Sequence, residues 1–141
     1  MLKKTVFFFM MIVFAGLSFG QENSRPPDNK ELITKARSFY VVSDTVYMKR
    51  ERLESSLLGS AEFKAWDLQV SNNERRADML INVKRIPFTN HFSYTVTDRA
   101  TDTVVMAGVV DSLAGTVYWL IADEIVHKMK ALRGDPPPQR L

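Results

Sequence analysis

The 141-residue chain contains no cysteine at all. That excludes disulfide bonds, thiolate metal sites and cysteine nucleophiles, and with them the lipid anchor of bacterial lipoproteins, which is built on a cysteine at the first mature position. Histidine is nearly as scarce, with His91 and His127 the whole supply. The glycine-dependent signatures are missing too: there is no G-x-x-x-x-G-K, no G-x-G-x-x-G and no G-x-S-x-G, nor any H-E-x-x-H. Charge of one sign is also lacking, since 19 Lys and Arg face 16 Asp and Glu. These absences leave metal, nucleotide and acyl-transfer chemistry without a recognisable motif, and neither a cofactor nor a metal is expected.

What is present begins at the N-terminus. Lys3 and Lys4 precede sixteen uncharged residues, Thr5 to Gly20, whose centre is the apolar run Val6 to Phe14 and whose end carries the small residues Ser18 and Gly20. A positive start, an apolar stretch and a small-x-small end form a secretory signal peptide, so residues 1–20 read as a leader cut between Gly20 and Gln21. A retained anchor is the rival reading, but a spanning helix needs about 20 apolar residues. The leader implies export, to the periplasm or beyond, with no stable membrane insertion after cleavage. Losing two of the 19 basic side chains leaves the mature chain near +1 against its 16 acidic ones. Nucleic-acid binding needs a clustered excess of cations, and the doublets Arg75-Arg76 and Lys84-Arg85 do not supply it, the first having Glu74 and Asp78 for neighbours.

Residues 21–34 are polar and contain Pro26-Pro27, which reads as a linker; residues 134–141 carry Pro136-Pro137-Pro138, which reads as an extended, disordered tail. Between them, residues 35–133 form one domain. Phe39 to Val42 is a short β-branched and aromatic run, expected as a buried strand. A helix follows from Met48 to Leu58 with Leu53, Leu57 and Leu58 on its apolar side and Gly59 as a left-handed cap, after which Ser60 caps a brief second turn. Trp66, Leu68 and Val70 alternate as a short edge strand. Met79, Ile81 and Val83 alternate with Leu80, Asn82 and Lys84, giving a strand with one apolar face. Phe92, Tyr94 and Val96 share one side of the next strand, a turn at Asp98 to Asp102 reverses the chain, and Val104 to Val110 returns. This last run is nearly continuously apolar, so it is expected at the centre of the sheet, with Gly108 weakening the packing or permitting a bulge. Tyr118, Ile121, Ile125, Met129 and Leu132 stripe a closing helix from Thr116 to Leu132, ended by Gly134. The class is α+β: a mostly antiparallel sheet of four to five strands with two helices packed on one face, in the order β-α-β-β-β-β-α.

Few side chains suggest chemistry. Asp123 and His127 stand one helical turn apart and share a face, which suits an oriented imidazole or two metal ligands, but an exposed ion pair has the same spacing and no third ligand or nucleophile motif accompanies them. Asp98 and Asp102 belong first to a turn. The aromatic residues offer a better hint: Tyr118 and Trp119 are adjacent on a helix and point about 100° apart, so one of them can reach the surface. Tyr118, Trp119 and Trp66 are therefore the candidate partner-binding residues.

The segment Ala77 to Val83, the hairpin from Tyr94 to Asp98 and Thr101 to Val105 with Gly108, and the helix carrying Ile121 to Val126 resemble small exported bacterial envelope domains. The resemblance is to uncharacterised periplasmic families and, more loosely, to the N-terminal domain of TolB and to CsgG-like assembly proteins. It implies a binding or assembly module and not an enzyme, with an envelope protein as partner. The alternative expectation is a small periplasmic enzyme or ligand carrier with a site near Asp123 and His127.

Overall fold

The computed structural model describes residues 26–112 and 115–138, so the expected cleavage residues Gly20 and Gln21 lie outside it. Nine elements follow in order: α1 (Asn29–Lys35), β1 (Ser38–Ser43), α2 (Arg50–Gly59), α3 (Ala61–Ala65), β2 (Gln69–Val70), β3 (Met79–Arg85), β4 (His91–Asp98), β5 (Thr103–Asp111) and α4 (Val117–Arg133), with a 3-10 turn at Glu74–Arg76. The strands form one sheet in the order β2-β1-β3-β4-β5. β1 runs parallel to both its neighbours, whereas the longer β3-β4 and β4-β5 ladders are antiparallel.

One register places Phe39 and Val41 of β1, Met79, Ile81 and Val83 of β3, and Phe92, Tyr94 and Val96 of β4 on the same side of the sheet. All of these are buried and join Leu53, Leu57, Phe63, Ile121, Ile125 and Met129 from the helices in one core. The period-2 alternation of β3 and the 3.6-period stripe of α4 thus meet face to face, and hydrophobic burial fixes both registers. The α+β class and the mostly antiparallel sheet hold, with four described helices on one face where two were expected, because α1 precedes β1 and the brief turn after Ser60 is a separate helix, α3. The opposite face carries Tyr40, Val42, Leu80, Asn82, Thr95 and Thr97, all half-buried. At its centre the Asn82 side-chain oxygen is buried without a hydrogen-bond partner.

Several expectations change. The segment read as a linker contains α1: Asp28 caps it by accepting from the Lys30 N–H, Ile33 is fully buried, and the Arg133 guanidinium donates to the carbonyls of Ile33 (2.6 Å) and Ala36 (3.2 Å). Gly59 is the last residue of α2 and not a left-handed cap; Ser60 takes over, with φ −65°, and its hydroxyl accepts from the Phe63 N–H to start α3. Leu58 is exposed, so the buried stripe of α2 is Leu53 and Leu57 alone.

The largest change concerns β5, which lies at the edge of the sheet. Val96 pairs with Met106 and Thr97 with Val104, leaving Val105 as an extra residue. This bulge turns Val105 and Met106 inward together, while Val104 and Val109 are half-exposed on the open face. A continuous apolar run therefore arises here from a bulge and not from coverage on both sides. The bulge is not at Gly108, which pairs regularly with Tyr94. The outer carbonyls of β5 are engaged from the side: Lys128 donates to Ala107 (2.6 Å) and the Asn29 amide to Val105 (3.3 Å). Such capping blunts an edge that would otherwise invite another strand.

The turn after β4 forms as read. The buried Asp98 carboxylate accepts from the N–H (2.8 Å) and hydroxyl (2.7 Å) of Thr101, and Asp102 takes a positive φ of 54°. A second carboxylate fixes the parallel half of the sheet. Asp78, just before β3, accepts from the N–H groups of Arg37 (2.8 Å) and Ser38 (3.0 Å) and from the Ser38 hydroxyl (3.0 Å). Partial burial works to raise its pKa, but these three bonds, with Arg99 nearby, outweigh it and hold the carboxyl below its usual range.

Candidate functional site

The six α4 residues Trp119, Ala122, Asp123, Val126, His127 and Lys130 recur at helical spacing, so they line one stripe beside the buried one. Opposite them stand Ser56 and Gly59 of α2, Ser60, and Glu62 of α3, and the two sides enclose a groove of about 490 Å³. Ala122 and Val126, both largely buried, form its floor, and Trp119, 49% exposed, stands on its wall. Gly59 contributes width, because a Cβ built there meets nothing within 4 Å. The charges are mixed. Glu62 is held below the usual carboxylate range by its own backbone N–H and by the Ser60 hydroxyl (3.0 Å), and Lys130 is raised by its hydrogen bond to Asp135 (2.9 Å).

Asp123 and His127 also line a second, shallower hollow of about 410 Å³ between α4 and β5, together with Val109, Asp111, Leu120 and Glu124. They stand on the ridge between the two hollows. Both are exposed, and neither is hydrogen-bonded or ion-paired to the other. Among the described residues no group of three or more His, Asp or Glu is placed to hold a metal.

Below this ridge lies a polar cluster that the sequence showed only in part. Glu124 and Lys128 pair at 2.8 Å, as their i,i+4 spacing predicts. Their third member is Tyr94, whose hydroxyl donates to Glu124 Oε1 (3.0 Å) and whose ring lies 5.3 Å beneath the Lys128 ammonium. Burial pushes the Tyr94 phenol up to about 12; Glu124 adds to this and Lys128 opposes it. Lys128 is itself raised, chiefly by Glu124. Gly108 on β5 faces the cluster, and a Cβ there would sit 2.5 Å from Glu124 Oε1 and 2.6 Å from Tyr94 Cε1. Glycine is needed at this position for close approach and not for a bulge. The cluster braces α4 against the sheet edge. No signal in the sequence joined Tyr94 to Glu124, because the pairing crosses from strand to helix.

The three candidate partner-binding aromatics separate in the structure. Trp119 reaches the groove. Tyr118 is half-buried, with the Arg52 guanidinium 5.4 Å from its ring centre, so the 100° divergence of the two neighbours is realised. Trp66 is 6% exposed, packed into the core under Arg133, and offers no surface to a partner.

Fold and groove together define a one-sheet α+β domain with a mixed polar and apolar trench between two of its helices. No family model matches the chain, and no curated protein matches it. Among solved structures it is similar to the PelC dodecamer from Paraburkholderia phytofirmans in two crystal forms, one of them a point variant. Identities are 9% and 10%, and the TM-scores are 0.37 and 0.36. The matches cover 75% and 74% of this chain and 91% and 90% of those chains. Similarity at that level assigns neither family nor function.

Proposed function

We propose that the chain is a non-catalytic exported binding or assembly module of the bacterial cell envelope, with a protein partner held in the groove between α2 and α4. The observation that carries this reading is Trp119, a large ring left half in water above an apolar floor of Ala122 and Val126. Aromatic side chains in such positions are the usual anchors of protein interfaces. The leader pattern at residues 1–20 supports export. Among the described residues, no helix is long and apolar enough to cross a membrane. N-terminal sequencing of the exported protein should begin at Gln21; an intact leader in the membrane fraction would overturn the export half of the proposal.

A photo-crosslinking residue beside the groove, for example at Ser56, should capture one envelope protein, identifiable by mass spectrometry. Trp119→Ala should abolish that adduct and His127→Ala should leave it. The second reading, a ligand carrier or small enzyme, is favoured by one fact: Asp123 and His127 line both hollows. On that reading His127→Ala, and not Trp119→Ala, would remove a measurable ligand or activity.

A further inference from the structure

The end of the sheet from which α4 starts is the most apolar exposed part of the described molecule, and the groove reading makes no use of it. Here β1 leaves into residues 44–49 and β3 turns into β4 through residues 86–90. Val46 is 90% exposed, Tyr47 63% and Phe88 105%. Phe88 thus stands as free of the protein as a residue in an extended chain.

The hairpin turn is built to hold that ring out. Its N–H to carbonyl bond runs from Thr89 to Ile86 (3.3 Å), Arg85 Nε donates to the Thr89 carbonyl (2.9 Å), and the Thr89 hydroxyl donates to Ile86 (2.9 Å). Pro87 occupies the second position and Phe88 the third, with φ +61°. A positive φ at that position belongs to glycine or asparagine, and a phenylalanine there is strained. The ring makes no packing gain that would offset the strain.

The two loops act as one surface. Arg85 stacks 4.1 Å from the centre of the Tyr47 ring, and Met48, 1% exposed, pins residues 44–49 to the core. Of the carboxylates near this end, Asp44 pairs with Lys84 (3.8 Å) and Asp111 with His91, while Glu51 stands in the first turn of α2. Among the described residues neither Lys49 nor Arg85 forms an ion pair with a carboxylate, and Arg85 is held in place by the Thr89 carbonyl and the Tyr47 ring, so two cations without a carboxylate partner flank the apolar tip.

We infer that this loop end docks on an anionic lipid surface, with Phe88 entering the boundary between headgroups and acyl chains and Lys49 and Arg85 meeting lipid phosphates. Phe88, at 105% exposure, stands clear of the rest of the protein, whereas Trp119 stands over an apolar floor. A bilayer asks only for an apolar wedge, an amphipathic ring such as Tyr47 at headgroup depth, and cations around them. One wedge and two cations make a weak, reversible contact.

The test uses the chain from Gln21, because the apolar run Val6 to Phe14 would bind lipid by itself, and every described core residue lies between Ile33 and Met129. It should co-sediment with vesicles of phosphatidylcholine and phosphatidylglycerol and much less with phosphatidylcholine alone. Phe88→Gly should weaken binding more than about tenfold while Tm stays level or rises, and Lys49→Gln should weaken it about fivefold. Trp119→Ala in the helix groove should leave vesicle binding unchanged, which separates this inference from the groove reading. No association with the anionic vesicles, or equal association of Phe88→Gly, would overturn it. So would concentration-dependent self-association in lipid-free sedimentation velocity that Phe88→Gly abolishes, since the tip would then belong to a second copy.

Discussion

Gly108, Tyr94 and Phe88 are three residues whose identities make sense only from their surroundings. An added methyl at Gly108 meets a carboxylate oxygen and a ring edge at less than 3 Å, and both belong to a hydrogen-bonded cluster that cannot shift cheaply. Gly108→Ala is therefore expected to destabilise the fold by about 1–3 kcal/mol in urea unfolding, where a glycine that merely weakened a strand would give a gain on replacement. Tyr94 carries a pH signature. Its folded pKa of about 12 lies above the ordinary 10.0, so its contribution is complete below pH 10 and is lost as pH rises towards 12, where the unfolded chain ionises first. Thermal unfolding of the wild type should steepen its decline through that window, and Tyr94→Phe should remove this part of the slope. At Phe88, Phe88→Gly should relieve about 1 kcal/mol of left-handed strain, measurable as a higher urea midpoint.

At the scale of elements, α1 and β5 are the two that the sequence misplaced. Seven residues are too few for an independent helix, and two prolines precede them. What makes α1 is tertiary: Ile33 enters the core and Arg133, about a hundred residues later, satisfies its last carbonyls. Leu32, Ile33 and Ala36 next to an Asp28 cap were the available signal. Ile33→Ala should cost about 2–5 kcal/mol by chemical denaturation, whereas the same change in a linker would cost nothing. β5 was misread because a run of valines has the same composition whether it is sandwiched or bulged. Periodicity cannot separate the two when an inserted residue shifts the phase.

For the whole molecule, the decisive feature is the parallel pairing of β1 with β3, which brings residues about 40 apart in sequence into register through Asp78. Asp78 has a lowered pKa, so its contribution is present above the ordinary carboxylate pKa and disappears as pH falls through the folded value. Acidification should accordingly raise hydrogen exchange of the Ser38 and Arg37 amides before that of the β3-β4 hairpin. Asp78→Asn should flatten the dependence. The described helices share one core on one side of the sheet, and Asn82 lies at the centre of the other.

Local periodicity alone determined most of the elements: the alternation of β3 and β4, the turn at Asp98, the cap at Ser60 and the stripe of α4 are each encoded within a few residues and survive in the structure. The lack of cysteine and the scarcity of histidine equally bounded the chemistry in advance. Strand order, the edge position of β5, the helix hidden in the polar segment and the separation of Trp119 from Trp66 were decided only by tertiary packing. The physical reason is that each of them depends on a contact between segments remote in sequence, where hydrophobic pattern says that a face is buried but not against what.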